Sequence, residues 1–399
     1  MIKLNNSFFK NLGDSLWWKY MLEDIHQFDV EFTDIANCIV YEPNISPLNG
    51  NTGIDIVKDG TVVNLLPRDK KIIISTVQEP ICSEGDYFYH ENINVGRLLY
   101  NNCPTNNIDP NNVCYVSGDF YINELADLTV KTFFVPGWNH LFWDETIDVD
   151  IDSRVCSNLF LSFNRIHKPH RMYFINRLYE LDLLDNNLVS CADIIDGETF
   201  LEHIEWITED KKRHGVKFDL HNQIDIDALR TTAAQVQSKL PLVLDVRNFQ
   251  SEGCFDTHTL HSSIPFYQHS FMSVITESNA VGPGCYVSEA MFRPFVFMQP
   301  FLVIGQPRTL EILRAWGFDV FDDIFDNSYD IEPDQFKRIE MVLAEITRLR
   351  NKTPDELYEL TQSLKDRLIY NKNRYYSDEF KNITREYFTN ITNWINGET

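Results

Sequence analysis

The sequence predicts an α/β protein built as two doubly wound units, each a mostly parallel sheet flanked by helices. Short apolar runs that suit strands alternate with segments of helical period along most of the 399 residues. The run Ile72-Ile73-Ile74 has no polar alternation, as expected of a strand buried on both faces of a parallel sheet. The chain is also too long for one ordinary core, so two domains are expected.

In chain order, 8–26 has helical spacing, with Trp17, Tyr20, Met21 and Ile25 as its apolar stripe. Strand-like runs follow at Cys38–Tyr41, Lys71–Thr76, Val113–Ser117 and Lys131–Val135, separated by Asn-, Pro- and Gly-rich loops such as 101–112. These form a first α/β domain over 1–153. The acidic alternation of 144–154 reads as a linker. The second domain, 154–372, takes strands at Asn158–Phe163, Leu188–Ser190, Leu240–Val246, Phe271–Thr276 and Phe301–Ile304. Its helices are Pro169–Leu181, Phe200–Lys212, Ile226–Gln237, Ser288–Met298 and Arg308–Trp316. From Asp334 the tail is almost wholly helical, and Thr353-Pro354-Asp355-Glu356 supplies a cap, a first-turn proline and first-turn acids.

A hydrophobic content of 43% with 13% aromatics belongs to a packed globular protein. The net charge of -24 opposes contact with phosphate backbones and anionic membranes, although a local basic cleft remains compatible with it. The eight cysteines form no C-x-x-C, so free thiols are expected. Without a basic-then-apolar leader or an apolar run near the roughly 18 residues of a membrane span, a cytoplasmic protein with no membrane partner is expected. Neither a G-x-x-x-x-G-K-[ST] nor a G-x-G-x-x-G is present, which weighs against a kinase-like ATPase or a dinucleotide oxidoreductase. The alternation Asp148/Asp150/Asp152 matches a D-x-D metal site built on hard oxygen ligands. The same alternation suits a solvated strand face, and no metal is expected.

Open parallel sheets bind ligands beyond the carboxyl ends of their strands, which singles out three loops. The first, Ser162 to Arg171, leaves a buried strand and enters a helix with Pro169 in its first turn. Arg165, His167, Lys168, His170 and Arg171 gather at that helix N-terminus, where free N–H groups and the dipole favour an anion. Arg165 and Arg171 make a diphosphate clamp plausible, the bland reading being a solvated basic loop. The second loop carries Thr276-Glu277, a Gly-Pro-Gly at 282–284 and then Ser288-Glu289. Ser288 and Glu289 suit a helix cap and first turn, or Glu289 accepts hydrogen bonds from a ribose diol with Arg293 one turn on, facing phosphate. The third, Gly305-Gln306-Pro307, suits a tight turn.

The stretches FLSFNRIHKPHRMYFINRLYELDLLD, SFMSVITES and YVSEAMFRPFVFMQPFLVIGQPRTLEILRAWGFDVFDDIFDNSYD resemble the C-terminal domain of glycosyltransferase-like proteins of phages, giant viruses and bacteria. They are also distantly similar to α-1,3-fucosyltransferases. The resemblance covers roughly 158–370. It implies a GT-B enzyme, two Rossmann-like domains facing a cleft, in which 154–372 holds a nucleotide-sugar donor as co-substrate without a metal or other cofactor. The product would be a hexosyl or pentosyl transfer to an acceptor hydroxyl, on a glycan or on a hydroxymethylated pyrimidine in phage DNA, in the host cytoplasm if the gene is a phage's. The resemblance implies Glu289 at the ribose and Asn164, Arg165 and Arg171 at the diphosphate, with His170, Glu277, Ser288 and Arg293 beside them. It also implies that 373–399 forms a helix crossing back to the first domain. Ala290 departs from the Lys usual after this Glu, which leaves a phosphate contact to Arg293 or Arg165, or implies a non-catalytic binding protein on the same fold.

Residues 1–157 carry no comparable signature. An inverting reaction needs a base at a strand end. Glu79, after KIIIST, and Asp119, after VCYVSG, are the candidates, ahead of His90 and His140.

Overall fold

The structure, a computed structural model, describes residues 2–4, 30–32, 38–41, 71–76, 109–122, 130–137, 139, 142–143, 147–164, 167–195, 197–208, 226–242, 244, 258–280 and 284–398. The chain divides into two compact units. The first holds Met1–His140, Gly282–Val287 and Asp378–Thr399, and the second holds Leu141–Val281 and Ser288–Ser377.

In the first unit, β1 (Ile2–Leu4), β2 (Val30–Phe32), β3 (Cys38–Tyr41), β4 (Lys71–Thr76), β5 (Val113–Ser117) and β6 (Lys131–Phe134) form one sheet. Every pairing is parallel, in the order β2-β1-β3-β4-β5-β6. All five residues of β5 are buried, the condition that a central strand of a parallel sheet meets. The helix expected at 8–26 lies outside the described residues.

The second unit's strands are β7 (Asn158–Asn164), β8 (Leu188–Cys191), β11 (Ser270–Thr276) and β12 (Phe301–Ile304). They form a parallel sheet ordered β12-β11-β7-β8. A short antiparallel pair, β9 (Ile194–Ile195) and β10 (Glu198–Thr199), follows β8. The helices are α1 (Pro169–Glu180), α2 (Phe200–Thr208), α3 (Ile226–Gln237), α4 (His258–Gln268), α5 (Arg293–Val296), α6 (Thr309–Ala315), α7 (Gln335–Leu349), α8 (Pro354–Ser363) and α9 (Lys365–Tyr376). Both β11 and β12 are buried along their whole length. At α8 the expected cap is a capping box, with Thr353 and Glu356 each bonding the other's backbone N–H.

The strand at Leu240–Val246 lies partly outside the described residues, and its described part bridges Leu242 to Cys191. Two expectations need correction. The helix at Ser288–Met298 is a 3-10 turn, Glu289–Phe292, followed by α5. The 144–154 stretch is not a free linker where it is described. Ile147, Val149 and Ile151 are buried in the second unit, and the aspartates between them face out. Asp150 caps a 3-10 turn, and Asp152 pairs with Lys365 at 2.6 Å.

The last helix, α10 (Asp378–Asn396), belongs to the first unit. Phe380, Thr384, Phe388 and Ile391 recur at helical spacing and are buried. Trp394 meets Phe133 of β6 with ring centroids 6.2 Å apart and lies 4.4 Å from Lys71 Nζ of β4, while Tyr387 packs edge-on to Phe134 at 4.8 Å. Phe388→Ala removes a fully buried ring and is expected to cost about 3–5 kcal/mol. Hydrogen exchange on that variant should lose protection in β5 and β6 while β7 and β11 keep theirs.

Candidate functional site

The second sheet changes direction between β7 and β11. From β7 the chain winds outward to β8, then returns to β11 on the other side and continues to β12. The carboxyl ends of β7 and β11 therefore border a topological switch point, where open α/β sheets leave a ligand crevice.

At the exit of β11 stands Glu277, with no exposed surface. Its carboxylate accepts the Ser278 N–H at 3.2 Å and the Ser288 N–H at 3.3 Å, and the Ser288 hydroxyl also bonds it. Burial and then the nearby charge of Glu289 push its pKa up to about 7. Gly305, at the exit of β12, lies against it. A Cβ there would come within 3.2 Å of Glu277 Cγ, so the side chain that passes closest to the buried acid is absent.

The first turn of α1 is fastened to the same exit. Lys168 Nζ donates to the Ser278 carbonyl at 2.6 Å. His170 Nε2 donates to the Glu277 carbonyl at 2.9 Å, and Arg171 Nη2 donates to the carbonyls of Thr276 and Glu277 at 2.8 and 3.1 Å. Burial, reinforced by Arg171 and Lys168, holds His170 well below its usual pKa, so it is a neutral donor and adds no charge. Arg171 is drawn down to about 10 by burial against the pull of Glu277 and Glu289, and stays charged at neutral pH. Its buried Nε has no hydrogen-bond partner among the described residues. No side chain caps the N-terminus of α1.

The structure thus brings His170, Arg171, Glu277, Ser288 and Glu289 together, with different occupations. Ser288 caps the 3-10 turn through the Ala290 N–H at 3.3 Å. Glu289, half-buried in the first turn, hydrogen-bonds no described residue, and its charge bears on Arg171 and Glu277. Asn164, expected at a diphosphate, is buried within the sheet. Its amide donates to Ser162 Oγ at 3.0 Å and accepts from Thr276 Oγ1 at 2.9 Å, tying β7 to β11. Arg293, expected to face phosphate, is packed instead. Its guanidinium lies 5.8 Å from the Phe163 ring centre and its charge bears on Tyr267, while its buried Nε has no hydrogen-bond partner among the described residues. Arg165 lies outside the described residues.

In the first unit, Asp119 follows β5 and is wholly buried. Its Oδ1 accepts the N–H groups of Tyr121 at 3.1 Å and Cys285 at 2.8 Å, and its own N–H donates to Ser117 Oγ at 3.1 Å. Oδ2 is buried without a partner among the described residues. Desolvation raises the pKa, against the lowering effect of the two N–H bonds. Glu79, His90 and His140 lie outside the described residues. Among those residues no group of three or more His, Cys, Asp or Glu is arranged to hold a metal, and no helix is long and apolar enough to cross a membrane.

One residue of this region was missed in the sequence. Arg338 is buried on α7 and reaches the carbonyls of Gly305 and Ala280. The signal was available, because Arg338 sits on the apolar stripe of Ile339, Val342, Ile346 and Leu349, where a cation must have an internal task.

No protein-family model matches the chain, and no curated protein matches it. Among solved structures it is similar to a DNA modifying enzyme, β-glucosyltransferase, determined with and without uridine diphosphoglucose (8% identity, TM-score 0.42, 99% of this chain and 100% of that one). It is similar also to the phage T4 enzyme in complex with UDP and Mn2+ (10%, 0.41, 97% and 98%). A third is a mutant of the T4 enzyme in complex with UDP-glucose (10%, 0.40, 97% and 99%).

Because the folded state holds Glu277 protonated up to about pH 7, it binds a proton there that the unfolded chain has released. Stability contributed this way is present at low pH and is lost as pH rises from about 5 through 7. Glu277→Gln should flatten that part of the profile and gain on the order of 1–3 kcal/mol over wild type between pH 5.5 and 8. Urea unfolding at both pH values measures it.

Proposed function

We propose that this protein is a GT-B glycosyltransferase that binds a nucleotide-sugar at the β7/β11 switch point and moves the sugar to an acceptor hydroxyl. The observation that carries the reading is Arg171 beside Glu289. A guanidinium whose buried Nε has no partner among the described residues stands at an uncapped helix N-terminus, next to a half-buried carboxylate that hydrogen-bonds none of them. A nucleoside diphosphate answers both needs: its phosphates take the guanidinium and the helix N–H groups, and its ribose diol donates to Glu289. Lys168, bonded to the Ser278 carbonyl, adds charge near the phosphates, and no resident metal is required.

Asp119 is the base in this reading. An unpartnered carboxylate oxygen in the interior is costly unless a ligand completes it, and burial raises its basicity. Oδ2 takes the proton of the acceptor hydroxyl, and the acceptor oxygen bonds to the anomeric carbon. The bond from that carbon to the diphosphate oxygen breaks, and the nucleoside diphosphate leaves with the electron pair. Such a single displacement inverts the anomeric centre. The acceptor belongs to a glycan or to a hydroxymethylated pyrimidine in phage DNA. Ionic strength separates the two, because transfer to DNA falls steeply with added salt and transfer to a neutral glycan does not.

A thermal-shift screen with UDP-, GDP-, ADP- and CMP-sugars identifies the donor, since saturating ligand stabilises by mass action. Glu289→Gln should weaken binding of that donor about 5- to 30-fold, from the loss of a charge-assisted acceptor, with little change in melting temperature. Asp119→Asn should leave donor binding within about twofold while turnover falls on the order of 100-fold or more. A Glu289 variant that loses stability but keeps donor affinity removes the residue from the site. No binding of any sugar nucleotide overturns the reading.

A further inference from the structure

The loop that returns to the first unit at 284–286 encloses Asp119. Asp119 and Tyr286 form an antiparallel bridge, the Phe120 N–H donates to the Cys285 carbonyl at 2.8 Å, and the Cys285 N–H donates back to Asp119 Oδ1 at 2.8 Å. This segment lies 166 residues from the acid it holds. The approach is so close that a Cβ on Gly284 would stand 1.7 Å from Asp119 Oδ2 and 2.6 Å from its Cγ. These are overlaps with the carboxylate itself, in a residue with no exposed surface to swing into. Gly284 is thus glycine because its side-chain position is occupied by the carboxylate.

We propose that Gly284 is a positioning residue for Asp119. The missing side chain lets 284–286 close on the acid, so that Oδ1 is fixed by two N–H donors and Oδ2 is the oxygen without a partner among the described residues. The consequence is a carboxylate held in one orientation, as a base acting on a single hydroxyl requires. Any side chain at 284 drives the carboxyl group off the Cys285 and Tyr121 N–H groups. Those bonds favour the charged form, so their loss moves the titration of Asp119 upward. The proposal rests on the reading of Asp119 as the base.

The experiment uses the full chain with 13C-labelled aspartate carboxyls, and compares wild type with Gly284→Ala. Asp119→Asn identifies the Asp119 resonance. In Gly284→Ala the Asp119 resonance is expected to titrate at higher pH than in wild type. The acid limb of turnover with the sugar nucleotide selected by thermal shift should move with it, the rate should fall at least tenfold, and affinity for that nucleotide should stay put. An unchanged titration and unchanged rate in folded Gly284→Ala overturn the proposal. Full turnover in Asp119→Asn sinks the assignment of the base instead, while the shifted resonance would still report the contact. Should Gly284→Ala fail to fold, Asp119→Ala removes the overlap and is compared with and without Gly284→Ala in added formate. Formate filling the vacated carboxylate position should restore turnover to the single variant alone. Equal rescue of both overturns the proposal.

Discussion

Arg338 is 1% exposed, and its guanidinium reaches the carbonyl oxygens of Gly305, Ala280 and Glu332. A cation taken out of water costs several kcal/mol unless its hydrogens are satisfied, so the three loops that supply those oxygens are held where the charge needs them. These are the loop leaving β12, the loop leaving β11 and the turn before α7. The carboxyl end of the second sheet, the edge of every ligand crevice in such a fold, is therefore organised around an internal positive charge. Neighbouring groups adjust to it. Arg338 helps keep His170 neutral and opposes the burial that pushes Asp330 up to about 6.

Around that fixed edge, the polar groups divide into those used by the fold and those left over. Asn164, Ser162 and Thr276 complete one another across β7 and β11, and the Arg293 guanidinium packs on Phe163. His170 donates its proton to a carbonyl. What remains there among the described residues is Arg171 Nε on α1, Arg293 Nε and the carboxylate of Glu289 in its 3-10 turn. A ligand that is anionic at one end and carries adjacent hydroxyls at the other is complementary to that remainder.

The alternation of strands and helices was legible because each signal is local. Lys71–Thr76, Val113–Ser117, Ile226–Gln237 and Phe301–Ile304 have in the structure the bounds that their patterns imply. Helix α4 was not legible. Its histidines, serines and internal Pro265 argue locally for a loop, and packing against β11 overrides that propensity. The loops of the site could be found, since sheet topology dictates where they gather, but the role of each residue could not. Whether Asn164 faces a ligand or a neighbouring strand depends on Thr276, 112 residues away. Nor does the tripeptide Gly-Pro-Gly reveal that the glycine at 284 serves Asp119, because a turn explains it equally well.

The proposal of an anionic ligand for a chain of net charge -24 needs a physical reason. Distance supplies part of it. At physiological ionic strength the screening length is about 8 Å, so surface acids farther from the crevice act on it weakly. Burial supplies the rest. Glu277, the acid whose charge bears most on Arg171, is held near its proton by desolvation up to about pH 7, which reduces the negative charge where a phosphate would approach. The arginine keeps its own charge throughout that range. Burying one carboxylate thus shifts the local balance toward the cations of α1 without any change in composition. The same desolvation that costs stability at Glu277 favours an anion at the neighbouring helix N-terminus, so the cost and the affinity have one cause.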